Sequence, residues 1–266
     1  MSISYRVLGE GFPIVMLHGW PLDHQVLLHC MEPVFKNRTN WKRIYIDLPG
    51  MGQSEPQPWI ENSDDMLEAV LGLLDKLIPE EPFAVCGNSY GAYIARGIVH
   101  FRRNLARGLS LIAPMTIPES SERELPSHTV IKRDDVLLSR LSKDDAEEFS
   151  SMAVVQGQCE WERFRDDILL PLKQANDEFL TLVRQNGYGF SFDIFSTPFE
   201  YPSLIITGRQ DHVVGYQDPW RLIEQYPRAT FAALDMAGHN LQIEQPDLFE
   251  VLIHNWLNRL ELELGD

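Results

Sequence analysis

The sequence predicts an α/β fold, a mostly parallel central sheet flanked by helices, and three observations carry that expectation. Short, nearly continuous apolar runs at residues 14–17, 44–48, 83–86, 108–113, 204–207 and 231–234 read as strands buried on both faces. Segments with apolar residues at helical spacing lie between several of them, the alternation that parallel strands and their crossover helices require. From about residue 116 to residue 197 the rhythm stops, charged residues become dense, and no strand-like run of similar quality occurs.

Taken in order, the run at 14–17 leads into His18-Gly19-Trp20-Pro21, and the run at 44–48 into the glycine-dense stretch Asp47-Leu48-Pro49-Gly50-Met51-Gly52-Gln53-Ser54. Residues 64–78 carry Met66, Leu67, Val70, Leu71, Leu74 and Leu77 at helical spacing, with Ser63 as the candidate N-cap. The run at 83–86 feeds a helical segment at 90–101. Within the interruption, residues 144–152, 161–175 and 177–186 are helix candidates, the second kinked or divided by Pro171. The last segment, 241–262, presents Leu248, Val251, Leu252, Trp256 and Leu260 as its expected sheet-facing side. The resulting division is a core formed by residues 1–115 and 198–266, with an all-helical cap, 116–197, over the strands' carboxyl ends, where open α/β sheets place ligands.

At 266 residues the chain is long enough for one large α/β domain. Its 23 Lys plus Arg against 39 Asp plus Glu give a formal charge of -16, which repels phosphate backbones and anionic lipid, so neither nucleic acid nor membrane is an expected partner. Cys30, Cys86 and Cys159 are widely spaced and fit no metal-ligand or disulfide pattern, as in a reduced, cytoplasmic protein. The first residues lack the pattern of a secretory signal, and no apolar run approaches the roughly 20 residues needed to span a bilayer.

The chemistry concentrates at loops that follow strands. Gly87-Asn88-Ser89-Tyr90-Gly91 matches G-x-S-x-G between a strand and a helix. In such a turn the serine occupies a strained backbone position, and side chains two residues to either side would collide. Ser89 is therefore the candidate nucleophile, projecting near a helix N-terminus that favours negative charge. A hydroxyl needs a base near neutral pH, and His239, in Ala237-Gly238-His239-Asn240 after the last strand candidate, lies on the same sheet edge. Asp211, in the turn after residues 204–207, is the candidate acid that orients the imidazole, whereas the segment after residues 108–113 reads Ala113-Pro114-Met115-Thr116-Ile117-Pro118 and offers no carboxylate. The backbone N–H groups of Tyr90 and Trp20 are the candidate oxyanion donors, since Pro21 has none. His18 reads as a support for its own loop, and the glycine-dense stretch after Asp47 as a tight turn shaping the same edge. Trp20, Tyr90, Met115, Trp161, Phe164 and Val213 are the candidate substrate-lining residues.

With HGW at 18–20, DLPGMGQS at 47–54, GNSYG at 87–91, GRQD at 208–211 and AGH at 237–239, in that order over nearly the whole length, the chain resembles the α/β-hydrolase family. The resemblance implies a sheet of about eight strands with a helical cap after the sixth, acyl-enzyme chemistry, a small carbonyl substrate, and neither metal nor organic cofactor. Within the family the chain is similar to small capped bacterial enzymes: carboxylesterases, enol-lactonases and ring-cleavage-product hydrolases. The last group carries a glycine-rich oxyanion loop where this chain has HGWPLD, so hydrolysis of a small or medium ester or lactone is the expected reaction. Carbon-carbon cleavage of a vinylogous diketone is the second reading. A small-molecule receptor that retains the three residues is the third.

Overall fold

The strand candidates assemble into one seven-stranded sheet in the computed structural model, which describes residues 3–194 and 197–265. The chain runs through β1 (Tyr5–Leu8), β2 (Phe12–Leu17), α1 (Gln25–Phe35), β3 (Trp41–Ile46), α2 (Ser63–Leu77), β4 (Phe83–Asn88), α3 (Tyr90–Phe101) and β5 (Ala106–Ile112). An insertion follows, with β6 (Lys132–Arg133), α4 (Asp135–Leu138), α5 (Lys143–Met152), β7 (Val155–Gln156), α6 (Gln158–Phe164), α7 (Leu170–Leu172) and α8 (Asp177–Gly187). The chain returns as β8 (Ser203–Gly208), α9 (Gln217–Trp220), β9 (Ala229–Leu234), α10 (Leu241–Glu244) and α11 (Pro246–Leu264).

The strand order is β1-β3-β2-β4-β5-β8-β9, with β1 antiparallel to β3 and every other pair parallel. Every residue of β4 and β8 is buried, which is why these strands read as unbroken apolar runs. Pairing sets Leu17 beside Gly87, Asn88 beside Ile112, and Gly208 beside Leu234. Because these strands are parallel, the loops after β2, β4, β8 and β9 all emerge on one edge.

Several expectations change. Among the described residues the main sheet has seven strands, and the insertion follows the fifth: β1 is the edge, pairs only with β3, and no described strand lies outside it. β1 is largely exposed and carries little apolar signal, so composition does not reveal it. The insertion is not wholly helical, since β6 and β7 form a short parallel ladder. The cap of α2 is Asn62, whose side chain accepts the Asp65 N–H, while the Ser63 hydroxyl is committed to tertiary bonds. The segment 161–175 resolves into α6, a π-helical turn at Arg165–Leu169 and α7, so the break precedes Pro171 and is made by an extra residue in the turn. Pro246 divides the last segment and restarts the helix in a new phase. Its buried side is therefore Phe249, Ile253, Trp256, Leu257 and Leu260, with Leu248 and Val251 facing solvent.

Candidate active site

At the β4–α3 junction Ser89 holds φ +52° and ψ −113°, a conformation that costs a side-chain-bearing residue on the order of 1–3 kcal/mol. The turn is tight enough that a Cβ on Gly87 would run into the Gly91 carbonyl, and one on Gly91 into the Leu17 carbonyl. The surroundings hold the strained residue: its N–H donates to the Ile112 carbonyl (2.9 Å), and its carbonyl accepts the Met115 N–H (3.1 Å).

The loops after β8 and β9 bring Asp211 and His239 to this point. Asp211 is completely buried; Oδ1 accepts the N–H groups of Val213 (2.8 Å) and Val214 (3.0 Å), and Oδ2 lies 2.9 Å from His239 Nδ1. A carboxylate at Nδ1 favours the tautomer protonated there, which leaves Nε2 as acceptor, and Nε2 lies 3.0 Å from Ser89 Oγ. The His239 loop is itself fixed: Gln210 exchanges bonds with Ala237, and Gly238 N–H donates to Glu244 Oε2 at 2.6 Å. Glu244 Oε1 accepts Val154 N–H (2.6 Å) and Val155 N–H (3.2 Å) from the insertion. Burial raises the Glu244 carboxyl above its ordinary value, although these three donors oppose that.

The loop after β2 supplies the opposite wall. A Cβ on Gly19 would stand 3.1 Å from the Ser89 Cβ, so residues 19 and 20 pass beside the serine. His18 is buried between two loops; Nδ1 donates to the Gly19 carbonyl (2.8 Å) and Nε2 accepts the Leu48 N–H (2.9 Å), while burial lowers its pKa. Asp47 anchors the neighbouring turn by accepting the His24 N–H (2.8 Å) and the Gln53 N–H (3.1 Å). Among the described residues the N–H groups of Trp20 and Tyr90 have no acceptor within the fold.

Ser89 and His239 open into a cavity of about 290 Å³ between the sheet edge and the insertion. Of the expected lining residues, Trp20, Met115, Phe164 and Val213 reach it. Tyr90 and Trp161 do not. The Tyr90 ring is fully buried, stacked on Tyr188 at 5.0 Å between centroids, with its hydroxyl 2.8 Å from Ser63 Oγ. Trp161 packs edge-on against Phe149 at 5.4 Å, behind the wall that Phe164 forms. The lining also includes Asn88, Arg123, Glu148, Arg184, Tyr188 and Asn240, none of which the sequence singles out as lining. Asn88 and Asn240 flank Ser89 and His239, a signal present in the sequence. The rest sit on insertion segments whose facing depends on packing. Among the described residues no group of three or more His, Cys, Asp or Glu could hold a metal ion, and no helix is long and apolar enough to cross a membrane.

A strained serine turn, an imidazole and a buried carboxylate at the carboxyl edge of a parallel sheet, under an insertion, are the arrangement of a hydrolase. The family model described as alpha/beta hydrolase family matches residues 14–250, and the chain belongs to that family. It is 36% identical to the AB hydrolase superfamily protein YisY of Bacillus subtilis (strain 168), over 97% of this chain and 96% of that protein. It is 25% identical to the 2-hydroxymuconate semialdehyde hydrolase of Pseudomonas putida, over 94% of this chain and 88% of that protein. The crystal structure of an alpha/beta superfamily hydrolase from Oenococcus oeni PSU-1 superposes with a TM-score of 0.91 at 31% identity, covering 97% of this chain and 96% of that one.

Proposed function

We propose that the protein hydrolyses small or medium carboxylic esters or lactones through an acyl-enzyme on Ser89. The observation that carries this reading is the continuous chain from Ser89 Oγ to His239 Nε2 (3.0 Å) and from His239 Nδ1 to Asp211 Oδ2 (2.9 Å). His239 takes the serine proton as Oγ attacks the carbonyl carbon, and Asp211 stabilises the imidazolium that forms. The N–H groups of Trp20 and Tyr90, uncommitted in the fold, receive the oxyanion. His239 returns its proton to the leaving alcohol, then removes one from the water that attacks the acyl-enzyme and restores Ser89. A cavity of about 290 Å³ suits a substrate of modest size. Residues 116–197 form the cap in this reading, Phe164 and Val213 help to shape the substrate pocket, and the free thiols Cys30, Cys86 and Cys159 fit a cytoplasmic setting.

The relative from Pseudomonas putida, by its name a semialdehyde hydrolase, favours a second reading, cleavage of a carbon-carbon bond beside a ketone. A panel of 4-nitrophenyl acyl esters, lactones and a ring-cleavage dienoate, compared by kcat/KM, separates the two. Best turnover of the dienoate, with esters poor, would move the assignment. A serine-directed organophosphonate should add one equivalent at Ser89 and abolish turnover; equal labelling elsewhere would remove Ser89 from the mechanism.

A further inference from the structure

The cavity wall reverses the charge balance of the chain. Acidic side chains exceed basic ones by sixteen overall, yet the cavity around Ser89 is lined by two arginines, Arg123 and Arg184, and one carboxylate, Glu148. Neither arginine forms an ion pair among the described residues. Arg123 is half-buried and held from behind by three backbone carbonyls: Nε donates to Ile117 O (2.8 Å), one terminal nitrogen to Pro118 O (2.7 Å) and the other to Val213 O (3.0 Å). A guanidinium has five N–H groups, so two remain for another acceptor, and the cation is already fixed in place. Arg184, one turn before the end of α8, lies over the Tyr188 ring with Cζ 5.4 Å from its centroid, and Tyr188 lines the same cavity. Burial lowers the Arg123 pKa and the Arg184 charge pushes the same way, while Tyr188, Asp211 and Glu119 oppose the shift.

Building on the ester reading, the geometry points to a substrate whose far end carries a carboxylate, received by Arg123 and Arg184 while its ester carbonyl lies at Ser89. Planar guanidinium groups suit a carboxylate by paired N–H donation; Arg123 offers it half-buried and already oriented, and Arg184 from the exposed side. Glu148 opposes the anion and limits the preference.

The test compares kcat/KM for 4-nitrophenyl hydrogen adipate with that for its terminal carboxamide analogue, the same shape without the charge. The anionic ester should be favoured by at least about tenfold at low salt, less so at high salt. Arg184→Gln should bring the ratio close to one, and Glu148→Gln should raise it. Arg140→Gln, an exposed change of equal charge outside the lining, should leave the ratio in place. A ratio of one or less in the unmodified enzyme, or equal effects of Arg184→Gln and Arg140→Gln, would overturn the inference while leaving ester hydrolysis intact. If neither ester is turned over, the ester reading fails, and binding of monomethyl adipate to Ser89→Ala decides separately by calorimetry. Tighter binding than the matching carboxamide, lost in Arg184→Gln, upholds the carboxylate site, and equal binding removes it.

Discussion

Glu244 Oε2 accepts the N–H of Gly238 at 2.6 Å, one residue before His239, while its other oxygen accepts N–H groups of Val154 and Val155. One buried carboxylate thus ties the histidine loop to the insertion. In Glu244→Gln an amide NH₂ replaces one acceptor and faces a backbone donor, so one of the two ties is lost at a cost of about 1–3 kcal/mol. We expect a lower unfolding midpoint and a fall in kcat larger than the change in KM. The pH dependence supplies a second check. The folded-state carboxyl pKa lies above its ordinary 4.5, so the native state binds the proton more tightly, and stability falls as pH rises from about that value through the raised one. Denaturant titrations between pH 4 and 7 should show this contribution in the parent and not in Glu244→Gln; identical slopes would count against it.

Asp211 offers a sharper comparison. Asp211→Asn keeps the shape but favours the wrong imidazole tautomer and removes the charge facing imidazolium, so kcat should fall by up to about 10⁴-fold. Binding of a non-reactive analogue should change little. Glu119 is exposed and its carboxylate accepts from Ser121 in its own turn, so Glu119→Gln should be close to neutral. The reverse pattern would transfer the acid role away from Asp211.

Trp161 and Phe164 are near neighbours with different expected phenotypes. Phe164 faces the cavity, and Phe164→Leu should reorder the preference among acyl chain lengths by several-fold in kcat/KM. Trp161 lies behind it against Phe149, so Trp161→Ala should cost roughly 3–5 kcal/mol, visible in the unfolding midpoint, while the ranking of esters is largely kept. A reordered ranking in Trp161→Ala without loss of stability would place Trp161, not Phe164, at the wall.

His29 on α1 and the buried Asp167 in the π-helical turn are joined across the boundary between core and insertion, Nδ1 to Oδ1 at 2.5 Å, with Arg163 on the other carboxylate oxygen at 2.8 Å. The bond to Asp167 raises the His29 pKa. The stabilisation is therefore complete below the unfolded value of about 6.5 and is lost as pH rises through the folded one. With His29 partly exposed, the effect should stay below about 1 kcal/mol. The difference in midpoint between the parent and His29→Gln should shrink as pH is raised from 6 to 8.5; a constant difference would assign the contact no charge-dependent role.

The parts of the site that sequence reveals are those fixed by local sterics. Gly87 and Gly91 admit no side chain because of the turn they flank, so the position of Ser89 follows from a short pattern, and parallel strands bring His239 and Asp211 to the same edge. The insertion is legible only as helices. Whether Phe164 or Trp161 faces the cavity depends on rotation about the helix axis, and the extra residue of the π-helical turn changes that rotation for Leu170 and the residues beyond it. Tyr188, Arg123 and Arg184 look like solvated loop and helix residues until the insertion folds over the sheet. Ser63 shows the same limit on a smaller scale: beside Asn62 it has the chemistry of a cap, and its hydroxyl is claimed only once folding brings Tyr90 and Tyr188 to it.

The backbone of Ser89 also bears on how far this protein can be stabilised. At φ +52° a glycine would sit more comfortably than the serine, so the most relaxed sequence at this turn is one that lacks the hydroxyl proposed as the nucleophile. Under the proposed mechanism, selection for robustness alone would drift toward an inert protein here. Consensus or thermostability engineering should hold position 89 fixed and seek its gains elsewhere, at surface sites far from the sheet edge.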